Sequence, residues 1–362
     1  MKARALVLEK KRELSLREIE LPDQLGPDDV RVQIHTVGIC GSDVHYYTHG
    51  RIGPFVVDAP MVLGHEASGV VTAVGSNVRH LQVGERVCME PGIPDPTSRA
   101  SKLGVYNVDP SVRFWATPPV HGCLTPEVIH PAAFTFALPD TVSFAEGAMI
   151  EPFAIGMQAV VKARMQPGDV CVVTGAGPIG LMVALAALAG GASEVLVSDL
   201  VEEKLAIAGL RWHYPRQRLT RVAAYAVAKR CGQDWGADVV FEASGSPRVY
   251  DEVLACARPA RQICWSACRW SRSPSISSRP RPRSCASRRC SARPMVYDRA
   301  IDLIASGKVD LKPLISETFD FEQSIEAFER AASSTPGRQA ADHARYLNDT
   351  NTSTQSTRGK QQ

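Results

Sequence analysis

Val170-Cys-Val-Val-Thr-Gly-Ala-Gly-Pro-Ile-Gly180 joins a short apolar run to a glycine-rich turn, and an apolar, alanine-rich stretch follows it. Continuous apolar runs of this length are typical of strands buried on both faces of a sheet. Gly175 permits a tight turn, Gly177 lets the backbone approach a pyrophosphate, and Gly180 lets helix and strand pack closely. The N-terminus of the helix offers N–H groups and positive partial charge to phosphates. The segment therefore predicts a strand, a phosphate-binding turn and a helix.

Two further apolar runs extend this pattern, Glu194-Val-Leu-Val-Ser-Asp199 and Asp238-Val-Val-Phe-Glu-Ala-Ser244. Buried strands that alternate with helices indicate an α/β fold with a doubly wound parallel sheet. Asp199, at the end of the second run, can accept hydrogen bonds from both adenosine ribose hydroxyls and would repel a 2′-phosphate. The sequence predicts NAD rather than NADP; the alternative is a surface aspartate beside an ordinary glycine turn.

Residues 1–150 show a different pattern, with short alternating strands such as Arg31–Val37 and Gly69–Gly75 separated by turns. Because the helices that parallel strands require are absent from this pattern, we expect an all-β, barrel-like domain. Towards the C-terminus, Asp298–Ser306 is predicted to be a helix that Gly307 ends. Asp320-Phe-Glu-Gln is a capping box that opens a predicted helix over Phe321–Ala332.

The composition is that of a globular protein: 44% of the 362 residues are hydrophobic and 22% are charged. The length favours two domains. The net charge of +3 is too small to indicate a nucleic-acid or membrane partner. No apolar run approaches the roughly 20 residues that a membrane span needs, and the N-terminus lacks a secretion signal. With ten cysteines in no framework spacing, we expect reduced thiols and a cytoplasmic location.

Two glycine-bounded segments carry potential metal ligands, Cys40-Gly-Ser-Asp-Val-His45 and Gly64-His65-Glu66. We expect both to lie in loops. A thiolate, an imidazole and a carboxylate together suit Zn²⁺. Taken singly, however, Cys40 could be a buried thiol, His65 a core histidine and Glu66 a solvated acid. The spacing between Cys40 and His65 carries no information, so metal binding cannot be derived from it.

The chain resembles the zinc-containing medium-chain alcohol and polyol dehydrogenases, and among them the xylitol and sorbitol dehydrogenases. The glycine turn and Asp199 belong to the match, and the other matching motifs are Cys40–Tyr47, Gly50–Gly53, Leu63–Gly69, Phe114–Pro119, Glu151-Pro152, Trp235–Ser246 and Val296–Ala332. The resemblance implies a chaperonin-10-like catalytic barrel in residues 1–153 and 296–347. It implies an NAD-binding Rossmann domain in 154–295, and the polar tail 348–362 is expected to be disordered.

In the family, the residues matching Cys40, His65 and Glu66 hold a catalytic zinc, and the one matching Glu151 ligates it or acts through its water. Three protein ligands leave the fourth position open for catalysis. Ser42 and His45 match a proton relay. Substrate-pocket positions match Tyr46, Phe114 and Thr117, as well as Glu151. The candidate cofactor contacts are Gly175, Gly177, Pro178, Ile179, Gly180, Asp199 and Lys204.

The resemblance implies oxidation of a polyol secondary alcohol to a ketose, with hydride transfer to NAD. Xylitol to D-xylulose is the favoured reaction, and sorbitol and L-arabinitol are alternative substrates. A family-type homo-oligomer is expected, and no nucleic-acid or membrane partner. A second interpretation is a catalytically impaired member that binds only zinc or NAD.

The sequence departs from the family in two places. Many relatives hold a structural zinc with four cysteines, where this chain has Asp95, Ser98, Ser101 and Asp109; we predict no structural zinc. Residues 257–294 are rich in Arg, Ser and Pro, and we hypothesise that compensating frameshifts produced them. We expect a missing or poorly packed edge of the parallel sheet and weakened dimerisation there. An RNA- or DNA-binding role is disfavoured because the segment contains no recognisable module. Shorter mismatches lie near Arg211–Thr220 and after Pro336.

Overall fold

The computed structural model describes residues 2–209, 217–218, 235–265, 286–289, 296–333 and 345–348. Most of the mismatched stretches and residues 349–362 of the predicted tail lie outside the described residues. Asn348, which the prediction placed in that tail, belongs to a strand. Among the described residues, no helix has the length and apolarity to cross a membrane.

A six-stranded parallel sheet forms around the glycine turn, in the order β15-β14-β13-β16-β17-β18. Cys171, Val172 and Val173 of the central strand β13 are fully buried, as expected for a strand covered on both faces. The predicted α/β fold with a parallel sheet is confirmed. The six strands are β13 (Val170–Thr174), β14 (Glu194–Asp199), β15 (Gln217–Arg218), β16 (Ala237–Glu242), β17 (Ala257–Trp265) and β18 (Ala286–Arg289).

The edge of this sheet corrects one expectation. The prediction of a missing edge is wrong over the described part of the arginine-rich segment, because β17 pairs with β16 and β18 pairs with β17. Ile263 and Cys264 are 2% and 0% exposed, and this short apolar pair contributes to the packing around Val240 and Phe241. A register shift between the pairs of Ala237 and Val239 is the one irregularity in the β16–β17 pairing.

The first half of the chain is rich in strands, as predicted. A seven-stranded sheet has the order β12-β8-β7-β3-β20-β19, with β11 also paired to β3. Its strands are β3 (Asp29–Gly38), β7 (Glu66–Val74), β8 (Arg86–Met89), β11 (Glu127–Pro131), β12 (Thr135–Ala137), β19 (Glu317–Asp320) and β20 (Arg345–Asn348). Leu6, Leu8, Val32 and Phe328 belong to its apolar core.

Smaller sheets complete the strand-rich part. β1 (Lys2–Lys10) pairs with β2 (Glu13–Glu20) and β6 (Met61–Val62). Two short ribbons consist of β4 (Arg51–Ile52) with β5 (Phe55–Val56), and β9 (Gly92–Ile93) with β10 (Arg113–Phe114).

Helices also occur in this half, and one of them overturns a prediction. The segment from Gly41 to His45 was expected to be a loop, but it lies in helix α1 (Gly41–His49), for which Cys40 is the N-cap. Ser42–His49 contains no glycine or proline, so nothing interrupts the helix until Gly50, whose φ of 74° is left-handed. The other helices here are α2 (Arg99–Lys102), α3 (Phe144–Ala148) and α4 (Ile150–Ala163).

The remaining helices follow the predicted pattern. Helix α5 (Pro178–Ala189) begins with proline at its first position, where a missing N–H costs nothing. α6 (Glu202–Gly209) and α7 (Tyr250–Cys256) flank later strands, and α8 (Tyr297–Ala305) matches the helix predicted at 298–306. The predicted Asp320 capping box opens a 3-10 turn, Phe321–Gln323, which leads into α9 (Ser324–Ser333). Further 3-10 turns cover Tyr106–Val108, Ala132–Phe134, Pro247–Val249 and Lys312–Leu314.

Candidate metal centre and dinucleotide site

The register of two antiparallel strands brings the potential metal ligands together. Gly38, the last residue of β3, pairs with Glu66, the first residue of β7. Cys40 follows one strand and His65 precedes the other, so both lie at the same end of the sheet. One ligand atom each from Cys40, His65 and Glu66 lies within 4.8 Å of the others. This convergence depends on strand pairing, which explains why the spacing in sequence carried no signal.

Gly38 makes room for the carboxylate opposite it. A Cβ atom at this position would lie 2.2 Å from Glu66 Oε2, far inside van der Waals contact. The Glu66 carboxylate therefore occupies the space that any other residue at position 38 would fill. Sequence reasoning assigned Gly38 no role, because only the paired structure shows what it faces.

Asp43 is a second site residue that sequence reasoning missed, although it lies inside the Cys40–Tyr47 motif. It is fully buried on α1. Its Oδ1 accepts a hydrogen bond of 3.1 Å from the N–H of Gly64, and its Oδ2 lies 3.2 Å from Nδ1 of His65. The aspartate thus fixes the loop and the imidazole, and it leaves Nε2 of His65 as the nitrogen for ligation. The sequence did contain a signal for this role, namely an acidic residue one helical turn after Cys40.

The electrostatics of the cluster favour a cation. Burial raises the pKa of the Cys40 thiol, and the nearby Glu66 charge raises it further. Burial and the charge of Glu151 raise the pKa of Glu66 to about 8. These shifts mean that the anionic forms are disfavoured without a compensating positive charge. A thiol, an imidazole and a carboxylate that converge in a buried site fit the ligand chemistry of Zn²⁺.

Glu151 lies close to the cluster but not within it. It is in the first turn of α4 and is 8% exposed, and burial raises its pKa. The compact group of ligand atoms contains Cys40, His65 and Glu66 and leaves Glu151 out. Its charge nevertheless acts on Glu66, so the acid faces the same centre from the helical side.

The glycine turn has the geometry that its sequence predicts. Gly175 follows β13 with a φ of 99°, a left-handed value that suits glycine. A Cβ atom on Gly180 would lie 1.8 Å from the carbonyl oxygen of Gly175, so the turn closes directly onto the helix. Gly177 is the N-cap of α5, followed by Pro178 at the first helical position. Ile179 is half-buried in the first turn.

Asp199 occupies the end of β14, next to this turn. Its Oδ2 accepts a hydrogen bond of 2.8 Å from the N–H of Ala176 and lies 3.7 Å from Nζ of Lys204. Its Oδ1 accepts a hydrogen bond of 3.0 Å from the N–H of Val201. The carboxylate therefore ties the turn to the neighbouring strand, a contact that the sequence did not predict. Each carboxylate oxygen can accept more than one hydrogen bond, so capacity for a ribose remains.

Comparisons with known proteins agree with this geometry. The model of the alcohol dehydrogenase GroES-like domain matches residues 26–140. The D-xylulose reductase of Morganella morganii is 50% identical over 333 residues, which cover 91% of this chain and 97% of that protein. The D-xylulose reductase of Saccharomyces cerevisiae is 41% identical over 354 residues, with coverages of 91% and 94%. The chain belongs to the zinc-dependent medium-chain polyol dehydrogenases.

Other comparisons place this dehydrogenase in the same fold. It is 38% identical to rat sorbitol dehydrogenase over 337 residues, which cover 90% of the chain and 92% of that enzyme. The structure of 2R,3R-butanediol dehydrogenase from Bacillus subtilis is similar, with a TM-score of 0.80 at 26% identity and coverages of 96% and 99%. The alcohol dehydrogenase of Thermus sp. ATN1 gives a TM-score of 0.81 at 26% identity, with coverages of 95% and 99%.

The predicted substrate-pocket residues of the dehydrogenase lie close to the metal ligands. The Phe114 and His65 ring centroids are 5.6 Å apart. Tyr46, on α1, is 3% exposed, and its hydroxyl is hydrogen-bonded to the side chain of Thr117. These contacts line one side of the centre with an aromatic ring and two hydroxyls.

The two predicted relay residues of the dehydrogenase both lie on α1. Ser42 is half-buried and His45 is exposed. Partial burial and the neighbouring charge of His49 lower the pKa of His45 below its ordinary value.

The lobe that carries a structural zinc in many relatives is held here by hydrogen bonds. The Asp95 N–H donates to Asp109 Oδ2 at 2.7 Å, and the Asp95 carbonyl accepts from Ser101 Oγ at 2.6 Å. Ser98 Oγ donates to Ser101 Oγ at 3.1 Å. Hydrogen bonds thus link the four positions at which we predict no structural zinc.

Proposed function

We propose that this dehydrogenase oxidises a secondary hydroxyl of a polyol to a ketone, with xylitol to D-xylulose as the preferred reaction and NAD as the hydride acceptor. The observation that carries the proposal is the convergence of Cys40, His65 and Glu66 within 4.8 Å, in a chain 50% identical to a D-xylulose reductase. Sorbitol and L-arabinitol are the alternative substrates.

In the proposed mechanism, Cys40, His65 and Glu66 would hold the catalytic zinc, with Glu151 beside them. When bound, zinc would supply Lewis-acid chemistry that lowers the pKa of a substrate hydroxyl and polarises the product carbonyl. Asp43 keeps the His65 ring in place through Nδ1. Gly38 leaves Glu66 the space to reach the centre.

The substrate proton leaves along α1 in this proposal. Ser42 takes it at its hydroxyl and passes it to His45, which exchanges it with solvent. His45 suits this role because it is exposed, and because its lowered pKa keeps the ring neutral and able to accept a proton near pH 7.

The pocket walls are assigned to Tyr46, Phe114 and Thr117. A polyol brings several hydroxyls into a site that excludes water, and each of them needs a hydrogen-bonding partner. The hydroxyls of Tyr46 and Thr117 are hydrogen-bonded to each other and can exchange that bond for bonds to substrate. Phe114 limits the width of the site beside His65.

The glycine turn is assigned to the dinucleotide. Gly175, Gly177 and Gly180, with Pro178 and Ile179, bring the N-terminus of α5 to the pyrophosphate. Asp199 accepts hydrogen bonds from the adenosine ribose, and Lys204 lies beside it. The negative charge of Asp199 favours NAD over NADP. NAD held there would supply the hydride acceptor for the carbon that carries the reacting hydroxyl.

We also propose a single zinc per chain in the absence of added metal, because hydrogen bonds already hold the lobe around Asp95 and Asp109. The division into residues 1–153, 154–295 and 296–347 stays a prediction, as does a homo-oligomer weakened near the arginine-rich segment. A cytoplasmic location stays a prediction, and free thiols at four buried or half-buried cysteines fit a reducing compartment. They are Cys40, Cys88, Cys123 and Cys256.

The proposal is tested on the full chain by its zinc content and by a panel of polyols with NAD and with NADP. We expect one tightly held zinc and growth of reduced-nicotinamide absorbance with xylitol and NAD. Cys40→Ser should weaken zinc binding by more than about 100-fold, which exceeds the loss expected for residues that contact a ligand but not the metal. Cys256→Ser changes a buried cysteine of α7 and should retain zinc. Zinc and NAD binding without turnover of any polyol would favour the impaired-member alternative.

A further inference from the structure

Helix α1 presents a second pair of imidazoles that is distinct from the ligand cluster. His45 and His49 are four residues apart and both are exposed. Side chains at this spacing lie on one face of a helix. Their ring centroids are 4.2 Å apart, and the rings are inclined by 17°. The two rings are therefore stacked nearly face to face on the exposed side of α1, and a rotation of the His45 ring about its Cβ–Cγ bond would turn one of its nitrogens toward the His49 ring.

A hydrogen bond fixes the orientation of the second ring. Thr48 Oγ1 donates to the carbonyl of Val44 at 2.8 Å. Its oxygen lies 2.7 Å from Nδ1 of His49, and with its proton already committed it accepts the Nδ1–H of that ring. His49 is thus held as the tautomer whose Nε2 carries the lone pair. Histidines that ligate metal ions commonly have such a hydrogen bond on the ring nitrogen that does not bind the metal.

We propose that His45 and His49 chelate a second divalent transition-metal ion, Zn²⁺ or Cu²⁺, on the exposed face of α1. Two histidines four residues apart on a helix are a known arrangement for binding zinc, and imidazole is a good ligand for both ions. Water completes the coordination. The site differs from the catalytic centre in its ligands and its exposure.

The second ion has a consequence that rests on the proposed function. If His45 passes the substrate proton to solvent, a metal ion on its lone pair blocks that step. Zinc in excess of the catalytic equivalent then inhibits polyol oxidation, although the catalytic centre stays loaded. The pair thereby makes activity sensitive to the free concentration of the same metal that the enzyme needs.

The binding test uses the holoenzyme of the full chain, dialysed to equilibrium against buffered Zn²⁺ and, separately, Cu²⁺, at about pH 8, above the range in which histidine side chains ordinarily titrate. We expect one more equivalent of metal than in buffer without added metal. His49→Ala should weaken the extra site by at least about tenfold. His80→Ala removes a lone exposed histidine that contacts the Ala132 carbonyl and should leave the site intact. An unchanged extra equivalent in His49→Ala, or none in the wild type, overturns the proposal.

A second variant separates the orientation argument from simple loss of a ring. Thr48→Val keeps the shape of the side chain but removes the acceptor for Nδ1 of His49. It should weaken the extra site about tenfold. Affinity equal to that of the wild type would refute the role given to Thr48.

The inhibition test distinguishes failure of this inference from failure of the proposed function. With an active polyol, the concentration of added Zn²⁺ that halves activity should rise at least about tenfold in His49→Ala and stay unchanged in His80→Ala. Equal sensitivity of all three proteins would overturn the inhibitory role. The binding test needs no turnover, so it decides the site even if no polyol is oxidised.

Discussion

The metal cluster and the glycine turn are built in opposite ways. The turn lies in one uninterrupted stretch, in which β13, Gly175–Gly180 and α5 follow each other along the chain. The cluster draws on the N-cap of α1, which follows β3, and on the start of β7 with the residue before it. Its geometry depends on which residues pair across two strands, whereas that of the turn depends on residues adjacent in sequence.

This difference determines which substitutions should weaken each site. A change in the turn acts on the site directly, because the residues assigned to the cofactor also form the turn. A change near the cluster acts through partners that are remote in sequence, such as Gly38 and Asp43. If that view is correct, residues that ligate nothing should control metal affinity, and the nucleotide site should respond mainly to its own members.

Among substitutions at residues that do not ligate the metal, the largest effect is expected from Gly38→Ala. The added Cβ would lie 2.2 Å from Glu66 Oε2, so the carboxylate must leave its position. Zinc affinity should fall by about 100-fold, the upper end of the range for residues that act through a ligand. Competition with a chromophoric chelator measures it. Gly41→Ala is the matched control because its Cβ meets nothing within 4 Å; equal losses in both would show that pairing at Gly38 is not the cause.

Asp43→Asn should have a smaller effect on the same affinity, about tenfold. The amide can still accept the N–H of Gly64, but it lacks the charge that stabilises the His65 Nδ1–H. The same competition assay measures the change, with Asp58→Asn, an exposed aspartate, as the control. Retention of full affinity in Asp43→Asn would mean that ring orientation is set by the loop alone.

Asp199→Asn tests the nucleotide side. Loss of the carboxylate charge removes the repulsion of a 2′-phosphate, so the ratio of kcat/KM for NAD to that for NADP should fall about tenfold, or ~1.4 kcal/mol. Zinc affinity should not change. Glu203→Gln, an exposed acid on α6, is the control. An unaltered ratio of kcat/KM for the two cofactors would show that Asp199 does not determine cofactor specificity. A loss of zinc affinity would show that the two sites are not independent.

The smallest expected effect is on the acid limb of the pH profile of kcat/KM, measured in buffer without added metal. His45 accepts a proton only when neutral, so kcat/KM should fall as pH drops through its pKa, which burial and His49 hold below the ordinary value of 6.5. His49→Ala removes the like charge and should move the limb upward by less than about one pH unit. A pH profile of each protein measures it, and a downward shift would contradict the assignment of the limb to His45.

The same contrast explains what the sequence could predict. Local periodicity and the placement of glycines were enough to predict the turn, the end of β14 at Asp199, and the order of the strands and helices around them. Cys40, His65 and Glu66 came from resemblance to a family, because strand register is not encoded in their spacing. Asp43 and Gly38 received no role, since each matters only through a partner across the fold.

Two errors have local causes. The loop expected at Gly41–His45 relied on the bounding glycines, although the residues between them permit a helix. The missing sheet edge was inferred from the arginine-rich composition, which outweighed the short apolar pair Ile263-Cys264. In both cases the residues within the segment itself were better evidence than the composition of the wider region or the glycines that flank it.

The position of β20 in the sequence determines when the seven-stranded sheet can be completed during synthesis. It pairs with Thr36, Val37 and Gly38 of β3, yet it follows every other described strand in the sequence. Until it emerges, the strand that leads into Cys40 keeps an open edge, and a nascent chain with an open edge is prone to wrong pairing. The final fit of the metal centre therefore comes after the strands of the parallel sheet have been synthesised.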